Sequence, residues 1–145
     1  LQAGGAGGEE GVAVVHFRVK ADTKMGESVF VCGGLAVLGG WDPARATALT
    51  TSPRDFPVWS GNVTVPMSQV KRMELRYKYV IRGQGGKAWW ESGIADRTLQ
   101  AGDGDRPGSN LGGGMRTEVD DGAFNQLPRL SCTVTPIAPA AAAAA

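Results

Sequence analysis

Histidine is almost missing from this 145-residue chain, which has one, His16, beside two cysteines, Cys32 and Cys132. One imidazole and two scattered thiols do not supply the close ligands of a zinc site. His16 also has no serine or cysteine partner at a spacing that marks nucleophilic catalysis. Two cysteines make no disulfide framework; two reduced thiols are the favoured reading, and one Cys32–Cys132 disulfide is the alternative. Long apolar runs are lacking, as is the pattern of a secretory signal, so no membrane partner is expected, and targeting information is left to sequence outside this piece. Charge of one sign is lacking too. Fifteen Lys and Arg stand against fourteen Asp and Glu, a net charge of +1 without blocks of like charge, which argues against a nucleic-acid or anionic-membrane surface. GGLAVLGG has the glycines of a phosphate loop but lacks the Gly-Lys-Ser/Thr ending and runs into Trp-Asp-Pro instead of a helix. The carboxylate pairs Glu9-Glu10 and Asp120-Asp121 are placed in or near linkers, where acid–base work has no desolvated pocket. Catalysis within the chain is not expected, nor is a cofactor.

What is abundant is glycine, 22 residues, roughly double the usual rate of about 7%. Much of it lies in LQAGGAGGEEG at the start and AGDGDRPGSNLGGG near position 105, and the chain finishes in APAAAAAA. Such stretches bury too little apolar surface to offset their ordering entropy. The expected organisation is a Gly-rich linker over 1–11, one domain over 12–120 with a closing strand at about 115–119, and an Ala/Pro-rich linker or tail over 121–145. The chain does not begin with Met and is read as a piece of a longer protein. Its compartment stays open, secretion included.

Between the linkers the pattern has a period of two. In VAVVHFRVK, Val15, Phe17 and Val19 share one face, and His16, Arg18 and Lys20 the other, as in a half-buried strand. SVFVC, WSGNVTV, MELRYKYVI and KAWWE continue the series, with RTLQ as one further short strand. Trp59 falls on one face with Val63 and Val65; Leu75, Tyr77, Tyr79 and Ile81 share another, opposite Glu74, Arg76, Lys78 and Val80. No segment holds a 3.6-residue period, and short strands with turn residues between them predict an all-β, antiparallel β-sandwich. Asn62-Val63-Thr64 is a glycosylation sequon that matters only on a secreted protein.

Trp89 and Trp90 are adjacent, so on a strand their rings point to opposite faces and one of them leaves the core. Trp41 sits in a glycine-rich loop, where an exposed ring often marks binding. A flat aromatic face suits a ligand with an apolar face and a polar rim, such as a sugar ring, whose hydroxyls need fixed donors and acceptors nearby. Lys78, pointing away from the Tyr77/Tyr79 face, and Glu91 are the candidates for that rim.

These residues carry a resemblance. Gly-Glu-Ser-Val-Phe-Val-Cys-Gly (26–33), Leu-Gly-Gly-Trp-Asp (38–42), Ala-Leu (48–49), Trp59, Tyr-Lys-Tyr-Val (77–80), Trp-Glu-Ser-Gly (90–93) and Asp-Arg (96–97) resemble, in order and spacing, the starch-binding domains of carbohydrate-binding module family 20. The resemblance covers about residues 12–100. It implies an immunoglobulin-like sandwich of seven to eight strands and non-catalytic binding of α-1,4-glucans: starch, glycogen, maltooligosaccharides and cyclodextrins. It places a first site at Trp41, Lys78, Trp90 and Glu91. Asp96, in a run one residue longer than the family pattern, stands where an asparagine is usual and cannot donate a hydrogen bond when ionised. A second site would use Trp59, with Met25 and Phe56 where tyrosines are expected. Of the paired rings, Trp89 is read as inward or flanking and Trp90 as the sugar platform. The expected partners are an α-glucan and the other domains of a parent protein. That parent is a starch-active enzyme (amylase, glucanotransferase, glucan dikinase or phosphatase) or a scaffold. A sandwich used only for protein–protein contact, its rings buried in a partner, is the remaining reading.

Overall fold

The computed structural model of the chain describes residues 11–70, 74–101 and 110–137. Nine strands form two facing sheets: β1 Val12–Lys20, β2 Ser28–Gly33, β3 Thr47–Ala48, β4 Val58–Pro66, β5 Glu74–Arg82, β6 Ala88–Trp90, β7 Arg97–Gln100, β8 Met115–Ala123 and β9 Ser131–Pro136. One sheet runs β4-β1-β8-β9; the other runs β3-β2-β5-β6, with β7 also on β5. The described residues contain no α-helix, only short 3₁₀ turns. The sandwich expected from the period-two pattern is present, with two more precise features. The described residues hold nine strands, and among their ladders the β1–β8 pair is parallel while the others are antiparallel.

The alternation in β1 works as read: Ala13, Val15, Phe17 and Val19 are buried between the sheets, facing Val29, Val31, Leu75, Tyr77 and Tyr79 of the opposite one. Phe17 packs edge-on against Tyr77 and Tyr79 at centroid distances of 4.9 and 6.4 Å. Contacts of this geometry add about 0.5–1.5 kcal/mol to the area buried. The polar face of β1 stays outside, where His16 Nδ1 meets Asn62 Oδ1 at 2.9 Å. Both cysteines are free thiols.

The segment from 121 onward corrects the expected boundary. Instead of entering a tail at 121, β8 runs to Ala123 and β9 pairs with it from Ser131 to Pro136. Asp121, read as a linker carboxylate, is fully buried beside Thr117 and Val119, the other inward positions of its strand. Of the expected N-terminal linker only Gly11 lies among the described residues, and positions 138–145 of the tail lie outside them.

Asp121 belongs to a polar core. Tyr77 and Tyr79 hydroxyls both donate to its Oδ2 at 2.7 Å. Arg97, 2% exposed, donates through Nε and Nη2 to the two carboxylate oxygens of Glu91 at 3.0 and 2.6 Å. Its remaining donors reach the carbonyls of Asp121, Ala123 and Gln126 at 3.2, 3.1 and 3.0 Å. Arg129, which also bonds the Thr98 carbonyl, stands 3.4 Å from Asp121 Oδ1. Two guanidinium groups therefore balance two carboxylates. Burial, then the neighbouring Asp121 carboxylate, pushes both phenols well above the usual tyrosine range. Burial, then Asp42, pushes the Cys32 thiol up to about 11.

Glu91→Ala leaves the Arg97 charge buried without its partner and is expected to cost about 3–5 kcal/mol in urea unfolding. Glu118→Ala, at an exposed ion pair, is expected to stay within about 0.5 kcal/mol. A smaller loss for Glu91→Ala than for Glu118→Ala would overturn this role of the buried ion pair. The tyrosines give a pH test. Their protons leave the unfolded chain at a lower pH than the folded one, so the fold binds more protons and loses stability as pH rises through about 10. The chain has only two tyrosines, both buried. Tyrosinate absorbance should therefore appear together with the loss of near-ultraviolet circular dichroism and not before it.

Candidate glucan-binding site

Directly opposed residues of antiparallel strands lie on the same face, so the register sets out the outward surface of the five-stranded sheet. Ala48, Phe30, Val80 and Trp90 form one cross-strand row, and Cys32 and Lys78 the next. Trp90 thus stands on the outer face beside Lys78. Trp89, opposite Ile81, takes the inner side, as expected of the flanking ring. On the narrow strand β6 that side is not covered, however, and Trp89 is 44% exposed while Trp90 is half-buried. Trp89 packs against Gly83, where an added Cβ would stand 3.1 Å from its ring.

Trp41 arrives over the same surface from the loop between β2 and β3. Gly39 and Gly40 turn the chain with φ of +90° and +59°, and Trp41 itself takes φ of +68°. A left-handed bulky residue is held only where its surroundings over-determine it. Here the fully buried Leu38 anchors the loop, the Trp41 amide donates to the Gly33 carbonyl at 2.8 Å, and Asp42 accepts from the Ala44 amide at 3.0 Å. Gly39 also allows the close passage, since a Cβ there would meet the Arg45 carbonyl carbon at 2.7 Å. The result is a pair of indoles, Trp41 and Trp90, with centroids 6.3 Å apart and planes at 46°. Trp41 is 39% exposed. Together they make a bent aromatic shelf, with the Cys32 thiol buried beneath the Trp41 segment.

Lys78 lies at the foot of the shelf. Its Nζ donates to the Glu91 carbonyl oxygen at 2.9 Å and stands 4.0 Å from Asp96 Oδ1. Two of its three donors remain for a ligand. Asp96, half-buried with its side chain 37% exposed, adds an acceptor beside it. The structure brings these four residues together.

Glu91 does not join them at the rim. Its side chain is fully buried, with Oε2 accepting from the Tyr79 amide at 3.0 Å and Oε1 from the Asn125 amide at 2.6 Å, besides the fork of Arg97. The reason is the alternation already applied to the two tryptophans: a residue following an outward Trp90 points inward. Only the Glu91 main chain faces the shelf, through Lys78. The second site is corrected as well. Trp59 is 7% exposed, shares the core with Val63 and Val65, and donates from Nε1 to the Ala21 carbonyl at 3.3 Å, so neither ring face is free to stack on a sugar. Met25 is fully exposed, and Phe56, 42% exposed, lines a shallow hollow with Pro57, Ile81 and Phe124.

Sequence reasoning missed Asn125, which closes the loop after the shelf. Its Oδ1 accepts the Gly93 amide at 2.6 Å while its own amide binds Glu91. Asn125 has φ of +67°, a conformation that asparagine adopts more readily than most residues. Its place in a run read as tail hid it. Among the described residues no group of three or more His, Cys, Asp or Glu is arranged to hold a metal ion.

Comparison with known proteins identifies relatives of the chain. Residues 12–109 match the starch binding domain family. An α-amylase of Streptomyces violaceus is 39% identical over 82 residues, 57% of this chain and 13% of that protein. A glucan 1,4-α-maltotetraohydrolase of Roseateles saccharophilus is 35% identical over 94 residues, 62% of this chain and 16% of that protein. The chain therefore spans less than a fifth of the length of these relatives. The solved family 20 module of a maltotetraose-forming amylase from Pseudomonas saccharophila matches 77% of this chain and 99% of its own length, at 28% identity and a TM-score of 0.50. The match to an isolated module, and not to the catalytic remainder of the relatives, makes the chain a non-catalytic α-glucan-binding domain. It belongs to the starch binding domain family, carbohydrate-binding module family 20.

Proposed function

We propose that the Trp41/Trp90 shelf is the place where this module takes its glucan, and that it tethers a larger protein to starch. The observation that carries the reading is the pair of partly exposed indoles at 6.3 Å and 46°, fixed over one sheet face by the loop and the register. Two consecutive glucose rings stack by their C–H faces on the two indoles. Lys78 donates to hydroxyls at the rim, and Asp96 accepts from them. Glu91 and Asn125 act through others: Glu91 orients Lys78 through its carbonyl, and Asn125 holds the loop that carries Asp96.

Such a site is open and shallow, so an affinity between micromolar and millimolar is expected, about 4–8 kcal/mol. Retention then comes from effective concentration at a granule surface. The relatives are an amylase and a maltotetraose-forming hydrolase, and attachment to a starch-active catalytic domain is the favoured setting for this module.

Trp90→Ala is expected to abolish retention on insoluble starch and to weaken β-cyclodextrin binding, read by tryptophan fluorescence, by at least tenfold, with a melting temperature close to the wild type. Trp41→Ala should behave alike. Trp59→Ala should do the reverse, lowering stability by about 3–5 kcal/mol as a large core deletion, while the molecules still folded bind β-cyclodextrin normally. Undiminished starch retention by Trp90→Ala would remove the shelf from the mechanism. Asn125→Ala should weaken binding by a few-fold and broaden or shift the Gly93 amide resonance; Asn125→Asp, which keeps the acceptor, should restore most of the affinity.

A further inference from the structure

The outward side chains of β5 do not end at the shelf. From Val80 they run to Lys78, Arg76 and Glu74, each roughly 7 Å from the last along the strand. Thr98 and Gln100 of β7 lie directly opposite Arg76 and Glu74. The surface beyond Lys78 is thus a continuous polar row of hydroxyl, amide, guanidinium and carboxylate groups. There the chain forms a groove of about 440 Å³, bounded by Trp41, Gly34, Leu35, Gln69, Glu74 and Arg76. Clefts that hold small ligands span about 300–1,000 Å³, so the groove has the capacity of a binding site. Trp41 is a wall of the groove and half of the shelf at once. Gly34 is what lets the ring settle there, since a Cβ on it would stand 3.2 Å from the indole Nε1.

Geometry and chemistry then point the same way. A glucan lying across Trp90 and Trp41 and continued past Trp41 runs into this groove. Its walls carry the groups that recognise vicinal hydroxyls: the planar fork of Arg76, the Glu74 carboxylate and the Gln69 amide. Arg76 Nε is 2.9 Å from Glu74 Oε2, but the Arg76 side chain is 62% exposed. Such a half-exposed pair contributes little to the fold, so the Arg76 guanidinium is free to turn to a ligand while the Glu74 carboxylate, its side chain 24% exposed, stays at the wall. Their opposite charges cancel, which disfavours an anion and suits a neutral polyol.

We propose that this groove is a third glucosyl subsite, taking the next unit of the same α-1,4-linked chain beyond Trp41, with Arg76, Glu74 and Gln69 as its hydroxyl partners. The proposal rests on the shelf as the primary site. It makes the module a reader of chain length: maltose fills the shelf, and longer chains gain the groove.

The test is a titration of the full chain with maltose, maltotriose and maltotetraose, followed by tryptophan fluorescence, for wild type, Arg76→Ala and Gln69→Ala. Longer chains also have more registers on the shelf, but that statistical gain is common to all three proteins and cancels between them. The wild type should gain about five- to tenfold more affinity from maltose to maltotetraose than Arg76→Ala does, the worth of one ordinary solvent-competed hydrogen bond. Gln69→Ala should lose a smaller share, and all three should bind maltose within about twofold. If maltose binds as expected but both variants keep the full wild-type gain, the subsite is overturned and the shelf stands. If maltose binding survives Trp90→Ala unchanged, the shelf fails, and the proposal with it.

Discussion

The fork of Arg97 on Glu91 is the contact on which both the sandwich and its surface depend. A guanidinium and a carboxylate out of water are costly unless nearly every donor and acceptor is satisfied. Here Arg97 reaches Glu91 twice and the carbonyls of Asp121, Ala123 and Gln126, while Glu91 also takes the Tyr79 and Asn125 amides. One ion pair thereby joins β5, β7, the end of β6 and the turn after β8. The two sheets are connected by it as well as by the apolar layer of Phe17, Val19 and Leu75. Because Glu91 follows Trp90 directly, fixing the carboxylate inside also fixes the indole outside. The core thus positions the surface by the pleat of a single strand.

The same connection reaches the rim. The Glu91 carbonyl receives Lys78, and Asn125 holds Gly93 in the loop that leads to Asp96. Lysine carries more rotamer freedom than most side chains, and ordering it only on binding would weaken an already shallow site. Holding it at the foot of the shelf beforehand reduces that cost. Trp41 is arranged by the opposite route, a loop with left-handed residues in succession held by its amide, an Asx turn and a buried leucine. The shelf is thus built half from a strand and half from a loop held in left-handed conformations.

How much of this could be read from residues alone divides by physical cause. Period-two alternation was sufficient for β1, β4 and β5, because each has one apolar and one polar face, and it also gave the burial of Trp59 with Val63 and Val65. The resemblance supplied the Trp41, Lys78 and Trp90 grouping, which no local pattern contains, since those positions come together only through the sheet register. Glu91 was misplaced because a carboxylate beside an exposed aromatic looks like a rim group. The alternation that separated Trp89 from Trp90 would have sent it inward, and Arg97, sharing a face with Leu99, would have pointed to its partner. Asp121 was hidden by the glycine and polar residues around it, although Thr117 and Val119 lie on its side of β8. Asn125 gave no signal at all. Its role arises from a contact 32 residues away in sequence, and a short-range reading has no access to that distance.

If the Trp41/Trp90 shelf takes the glucan as proposed, its bend selects by shape where its few polar groups do not. Two indoles at 46° cannot both lie flat against a straight chain of sugars, such as a β-1,4-linked glucan, whose successive rings are nearly coplanar in outline. They match a chain that turns between one residue and the next, as an α-1,4 linkage makes it do. Stacking on one ring accepts any sugar face, but the angle between two fixed rings discriminates by shape, since a straight chain keeps contact with only one of them. That is why so much of the molecule, from the left-handed Trp41 to the buried Arg97, is given over to holding two rings in place.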